Sequence, residues 1–320
     1  MLKVSVLVVT YNHAKFIAQA LDSILMQKVD FEYEIVVGED CSTDSTRDIV
    51  LRFQEKYPGK FHLILSEKNV GAAKNFECAY KACKGEYIAY LDGDDYWSDP
   101  LKLQKQVRIL DQKPDVFICG SWNTVVDDDE KITAEWRFPE YFDVKDALRG
   151  PPVHINSWLF RRIDIFSYKR CCDVMDKLSV GDDPIMLLFL SFGKGYCLQE
   201  SCSVYRLHEG GIWSTRTDLD KCLYMLSLFV AGIVMIPPRL YCKQLGNIAF
   251  ESYQLLRNLV ISSMHNRSIK PFKELLNRLA ALQTMSKMET AIVLLLGLAY
   301  APYALARHAY RRIKSIAGVT

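Results

Sequence analysis

GEYIAYLDGDDYWSDPLKL, residues 85–103, decides how the chain is read. An apolar run climbs through Ile88, Ala89, Tyr90 and Leu91, then breaks into Asp92, Asp94 and Asp95 around one glycine. Carboxylates this close repel one another unless a cation sits among them. A solvated turn would favour glycine and aspartate, but it rarely stacks three acids beside a buried strand. Carboxylate oxygens suit a hard cation, Mg²⁺ or Mn²⁺. Mg²⁺ usually takes one or two protein carboxylates and completes its shell with phosphate oxygens. The expected ligand is therefore metal and diphosphate together.

Upstream, the chain alternates between two periods. Val4–Val9 reads as a strand, and a helix starting at Asn12 or His13 carries Ile17, Ala20, Leu21, Ile24 and Leu25 at helical spacing. YEIVVGED (33–40) is a second strand, and Ser42 or Asp44 caps a helix with Ile49, Val50, Phe53 and Tyr57. FHLIL (61–65) is a third strand, residues 71–84 a helix, and EYIAYL (86–91) a fourth strand. Strand–helix alternation with nearly continuous apolar strands implies a mostly parallel sheet covered on both faces. Ligands bind such sheets outside the carboxyl ends of the strands. Three polar segments fall at those ends: TYNH (10–13), GEDCSTDST (38–46) and DGDD (92–95).

Beyond Pro114 the pattern loosens. DVFICGSWNTVV (115–126) and INSWLFRR (155–162) read as strands, with DDDE (127–130) as a solvated turn. Residues 164–178 and 184–192 read as helices, and GYCLQE (195–200) and SVYRLH (203–208) as two short strands. From Asp218 the chain turns helical and partly very apolar. Two regions follow: a catalytic domain over 1–215 and a helical region over 216–320.

Composition limits the alternatives. The 320 residues are half hydrophobic, so a sizeable core is available. A net charge of +2 gives no reason to expect nucleic acid. Ten scattered cysteines without a C-x-x-C pair read as reduced core thiols. The opening apolar run is short for a signal peptide and right for a strand, so this part of the chain is expected in the cytoplasm. There is no P-loop, and no G-x-G-x-x-G follows the first strand.

VSVLVVTYNHAKFIAQALDSILMQ, GEDCSTDST, N-x-G-x-x-x-N (69–75) and YLDGDDYWSDPLKL stand in an order and spacing that resembles glycosyltransferase family 2. The resemblance implies a GT-A fold and a nucleotide-diphospho-sugar donor, with UDP the favoured nucleotide. Glu39, where an Asp is common, leaves the base open. Position by position, Thr10, Tyr11 and Asn12 would flank the base, and Asp40 would hydrogen-bond it. Asn69 and Asp92 would join the donor site, with Asp94, Asp95 and His208 at the metal and Arg206 at the departing diphosphate.

In SVGDDPIMLL (179–188) the family's catalytic base falls on Asp182, with Asp183 the alternate. A helix cap beside Pro184 is the competing reading. Ser157 and Trp158 lie where the family builds its acceptor side, and His154 reads as structural. The implied chemistry is inverting transfer to a glycan or lipid-linked glycan in bacterial surface-polysaccharide assembly. A nucleotidyltransferase and a catalytically dead sugar-nucleotide-binding scaffold are the alternatives.

Residues 291–306 form a 16-residue apolar run ahead of Arg307, Arg311, Arg312 and Lys314. The run is short for a membrane span. It suits peripheral, in-plane contact with the inner face of the plasma membrane better than a packed core.

Overall fold

The computed structural model describes residues 2–147, 151–168 and 183–211, with only the backbone of 183 and 184. The chain divides into two compact units. The unit described below comprises 1–165 and 181–215. The other lies almost wholly outside the described residues, and with it the apolar run at 291–306. No helix among the described residues is long and apolar enough to cross a membrane.

Among the described residues, ten strands form one mixed sheet. β1 (Val4–Thr10), β2 (Tyr33–Glu39), β3 (Phe61–Leu65) and β4 (Tyr87–Asp92) run parallel in the order β3-β2-β1-β4. Every residue of β1 is buried, which is why it reads as an uninterrupted apolar run. α1 (Ile17–Leu25) packs on the sheet through Ile17, Ala20, Leu21 and Ile24, all with no exposed surface. It starts later than Asn12 or His13, because a turn closed by Phe16 N–H to the His13 carbonyl comes first. α2 (Thr46–Lys56) and α3 (Ala72–Ala82) supply the other crossovers.

The second half departs from the sequence reading. β5 (Tyr96–Trp97) and α4 (Lys102–Gln112) follow the acid loop. β6 (Val116–Val126) turns back through β7 (Ile132–Trp136), and β8 (Tyr141–Phe142) and α5 (Val144–Ala147) follow. INSWLFRR is not one strand. Residues Ile155–Ser157 form a 3₁₀ turn, and only Leu159–Arg161 pair, as β9. β9 lies antiparallel between β4 and β6 and joins the two halves of the sheet. After α6 (Asp183–Phe192), GYCLQE and SVYRLH are one strand, β10 (Lys194–Arg206). It runs parallel to β6 and absorbs its polar middle in register shifts near Ser201.

α4 buries a lysine. Lys102 has no exposed surface; its Nζ donates to Gln106 Oε1 at 2.9 Å and lies 4.0 Å from the Trp97 ring centre. Gln106 in turn donates to the carbonyls of Cys119 and Ser157, tying α4 to β6 and to the 3₁₀ turn. Burial pulls the Lys102 ammonium down to about 7, against weaker opposing effects of Cys202, Cys119 and Asp99. The unfolded chain keeps that proton to about 10.5, so between those pH values the unfolded state binds more protons. Wild-type stability then rises with pH, by at most about 1.4 kcal/mol per unit from this group. The penalty is full below pH 7 and fades toward 10.5. Lys102→Met should lack this gain, so urea unfolding at pH 7 and pH 9.5 should show wild type gaining on the variant. A constant difference between the two proteins would show that the lysine is charged in the fold.

Candidate active site

Register brings the three polar segments to one edge. Thr10 is level with Glu39 on β2, and Val9 with Asp92 on β4. Backbone bonds close the edge: Asp40 N–H to the Thr10 carbonyl at 3.1 Å and Gly93 N–H to the Val9 carbonyl at 2.9 Å. Gly93 must be glycine, since a Cβ there would lie 2.6 Å from Thr10 Oγ1 and 2.9 Å from His13 Nδ1. The acid loop thus lies directly against the end of β1.

The three aspartates have different surroundings. Asp94 Oδ2 lies 3.0 Å from His208 Nε2 and 3.6 Å from His13 Nε2. Burial alone would raise its carboxyl, but the His208 hydrogen bond and the two imidazoles hold it below the usual range. Asp95 is buried with both oxygens occupied: Oδ1 accepts from Arg206 N–H at 2.9 Å, and Oδ2 from Asn156 Nδ2 at 2.8 Å. Burial and the neighbouring charges of Asp94 and Asp92 push it well above the ordinary carboxylate range. Asp92 is partly exposed and accepts from the Tyr90 hydroxyl at 2.7 Å.

Arg206 turns inward. Its guanidinium donates to the Asp94 carbonyl, to Glu130 and to Gln19, and it lies over the Phe16 ring. It clamps the acid loop to β10 and does not face the edge. Asp40 is also engaged, its carboxylate accepting from the N–H groups of Val70 and Gly71 at 2.8 and 2.9 Å. Glu39, fully buried, accepts from Ser42 N–H and pairs with Arg47. These contacts shape the loops after β2 and before α3.

Tyr11 is 40% exposed at the same edge, available to a planar ligand. Asn12 has a positive φ of 57° and accepts from Thr43 N–H at 2.8 Å, joining the loops after β1 and β2. Thr10 Oγ1 is buried without a partner. Asn69 is exposed in the loop before α3, and Asn75 is buried, donating to the Gly38 carbonyl. Ser157 and Trp158 are buried, with hydrogen bonds from the Ser157 hydroxyl to the His154 carbonyl and from Trp158 Nε1 to the Val153 carbonyl. Asp182 lies outside the described residues, and α6 begins at Asp183.

His13 and Asn156 were not singled out from sequence. His13 ends a segment already placed at a strand's carboxyl end, so its position was a usable signal. Asn156 gave none, because its partners lie far away in the chain.

The family model for glycosyl transferase family 2 matches residues 5–170, more than half of the chain. The chain belongs to that family. Among curated relatives, an uncharacterized protein of Mycobacterium tuberculosis is 33% identical over 223 residues, 68% of this chain and 62% of that protein. The chain thus aligns with less than two thirds of that relative's length. TuaG of Bacillus subtilis, named as a teichuronic acid biosynthesis glycosyltransferase, is 28% identical over 68% of this chain and 84% of its own. Among solved structures, Staphylococcus aureus TarS 1–349 in complex with UDP-GlcNAc matches with a TM-score of 0.57 at 19% identity, over 97% of this chain and 92% of that one. The mannosyltransferase PcManGT of Pyrobaculum calidifontis, with GDP-Man and Mn²⁺, matches with a TM-score of 0.54 at 20% identity, over 93% and 86%. These likenesses establish the GT-A fold. Thr10, Glu39 and Asp92 stand at the carboxyl edge of the parallel part of its sheet.

Proposed function

We propose that this family 2 member moves a sugar from a nucleotide-diphospho-sugar, with UDP the favoured nucleotide, to an acceptor hydroxyl with inversion. The observation that carries the reading is the pairing of Asp94 with His208 at the edge that also presents Tyr11. Tyr11 would stack on the base, with Thr10, Asn12, Asp40 and Asn69 around the nucleoside and Asp92 toward the ribose.

One carboxylate and one imidazole meeting at one point form a donor set that Mn²⁺ or Mg²⁺ accepts, leaving positions for phosphate oxygens. Asp94 and His208 would hold the ion. When bound, it supplies Lewis-acid stabilisation of the departing diphosphate. Asp95 and Arg206 take positioning roles in this reading, because their polar atoms are already engaged inside the protein. Asp182 would take the proton from the acceptor hydroxyl as that oxygen attacks the anomeric carbon from the face opposite the leaving group. The sugar–phosphate bond breaks in the same displacement, and its electron pair leaves with the nucleoside diphosphate.

Bacterial surface-polysaccharide assembly is the proposed setting, supported by the naming of TuaG. We place the reaction in the cytoplasm, with residues 291–306 touching the inner face of the plasma membrane. A thermal-shift screen of UDP-, GDP-, CDP- and dTDP-sugars with and without Mn²⁺ tests the donor site, since a ligand of the folded state raises Tm. The expected result is a shift with a UDP-sugar that needs Mn²⁺. No shift with any sugar nucleotide would sink the transfer reading, and pyrophosphate release from a nucleoside triphosphate and a sugar 1-phosphate would point to a nucleotidyltransferase.

A further inference from the structure

Arg206 brings a permanent positive charge to the acid loop. Its side chain is 2% exposed, and a guanidinium is not deprotonated in proteins. Nε donates to the Asp94 carbonyl at 3.0 Å, Nη1 to Glu130 Oε1 at 2.6 Å and Nη2 to Gln19 Oε1 at 2.7 Å. The guanidinium carbon lies 4.7 Å from the centre of the Phe16 ring. A cation buried in this way needs a carboxylate to balance it.

The acid loop does not supply that carboxylate. Asp95 engages one oxygen with the Arg206 backbone N–H and the other with Asn156. Asp94 meets the guanidinium through its main-chain carbonyl, while its Oδ2 lies 3.0 Å from His208. Among the described residues, Glu130 is the one carboxylate paired with the Arg206 side chain.

Glu130 comes from the turn between β6 and β7, 76 positions before Arg206. Its second oxygen, Oε2, accepts from the Tyr96 hydroxyl at 3.0 Å. Its φ of 61° lies in the left-handed region, where glycine or asparagine fits with less strain. Turn chemistry therefore does not favour a glutamate at this position. The two contacts of its carboxylate do.

Without that carboxylate, Arg206 would act on a metal ion in one of two ways. Left in place, its unbalanced charge would repel a divalent cation beside Asp94. Turned toward Asp94, it would compete with that cation for the carboxylate. An anionic diphosphate would instead be attracted. We propose that Glu130 is a positioning residue for the donor site, balancing Arg206 from the β6–β7 turn so that the Asp94 carboxylate is left to a divalent cation. The proposal rests on the reading that Asp94 and His208 hold the ion.

The test is calorimetry of UDP binding to the full chain, in EDTA and in Mn²⁺. Glu130→Gln keeps the side chain's shape and removes its charge. The gain in UDP affinity on adding Mn²⁺ should shrink about fivefold or more in this variant, the scale of one charge acting on a dication in partly screened surroundings. UDP affinity in EDTA should hold or rise, a pattern that general damage to the site would not give. Glu130→Asp, which keeps the charge, should recover most of the gain. Glu130→Asn also removes the charge and suits the positive φ, and it replaces Glu130→Gln if the melting curve shows that variant unfolded. Three results would each overturn the proposal alone, with wild type still responding to Mn²⁺. They are an unchanged gain in the folded uncharged variant, an equal loss of UDP affinity in EDTA and in Mn²⁺, and a Glu130→Asp variant that recovers nothing. A wild type with the same UDP affinity in EDTA and in Mn²⁺ would sink the metal assignment at Asp94 and this role of Glu130 with it.

Discussion

Asp94→Ala is expected to remove metal-dependent donor binding and to lower kcat/KM by about 10²–10³, the scale of losing one group that stabilises transition-state charge. Asp94 is the one carboxylate of the loop shown facing an imidazole, His208, with a second, His13, at 3.6 Å. Calorimetry with UDP should give the variant the same Kd in EDTA and in Mn²⁺, while wild type binds more tightly with Mn²⁺. Asp95→Asn is the contrast. Its carboxylate holds Arg206 N–H and Asn156 inside the protein, so the variant should lose about 1–3 kcal/mol of stability and keep its response to Mn²⁺. Equal UDP affinity in EDTA and Mn²⁺ for wild type would refute the metal assignment altogether.

Asp182→Asn is expected to cut kcat by about 10²–10⁴ while leaving donor Kd unchanged, because it would delete the proposed general base and keep the side chain's shape. Asp183 opens α6, where an acid interacts favourably with the helix N-terminus. Asp183→Asn should therefore cost activity only a few-fold and act mainly on stability. Steady-state kinetics on the two variants decide between the residues. More than a tenth of wild-type kcat in Asp182→Asn, together with a large loss in Asp183→Asn, would reverse the roles.

Local sequence determined the first half of the protein. The unbroken apolar runs of β1, β2 and β4 and the helical spacing of Ile17, Ala20, Leu21 and Ile24 needed no distant partner to be read. The order of those elements placed TYNH, GEDCSTDST and DGDD at one sheet edge, and their register there agrees. Elsewhere tertiary structure decided. The sequence reads as two strands, 195–200 and 203–208, parted at Ser201 and Cys202, yet pairing with β6 carries one strand across that gap through register shifts. β9 is short because Ile155, Asn156 and Ser157 close a 3₁₀ turn instead of pairing.

The same holds within the site. Three aspartates in four residues are equivalent in sequence. Asp95 becomes a loop anchor because Arg206, 111 positions away, and Asn156, 61 positions away, fill both its oxygens. Asp94 is set apart by His208, 114 positions away. The β-strand period and the helical period are local properties of the chain. Which buried carboxylate is satisfied and which faces the edge depends on contacts that exist only once the sheet has formed.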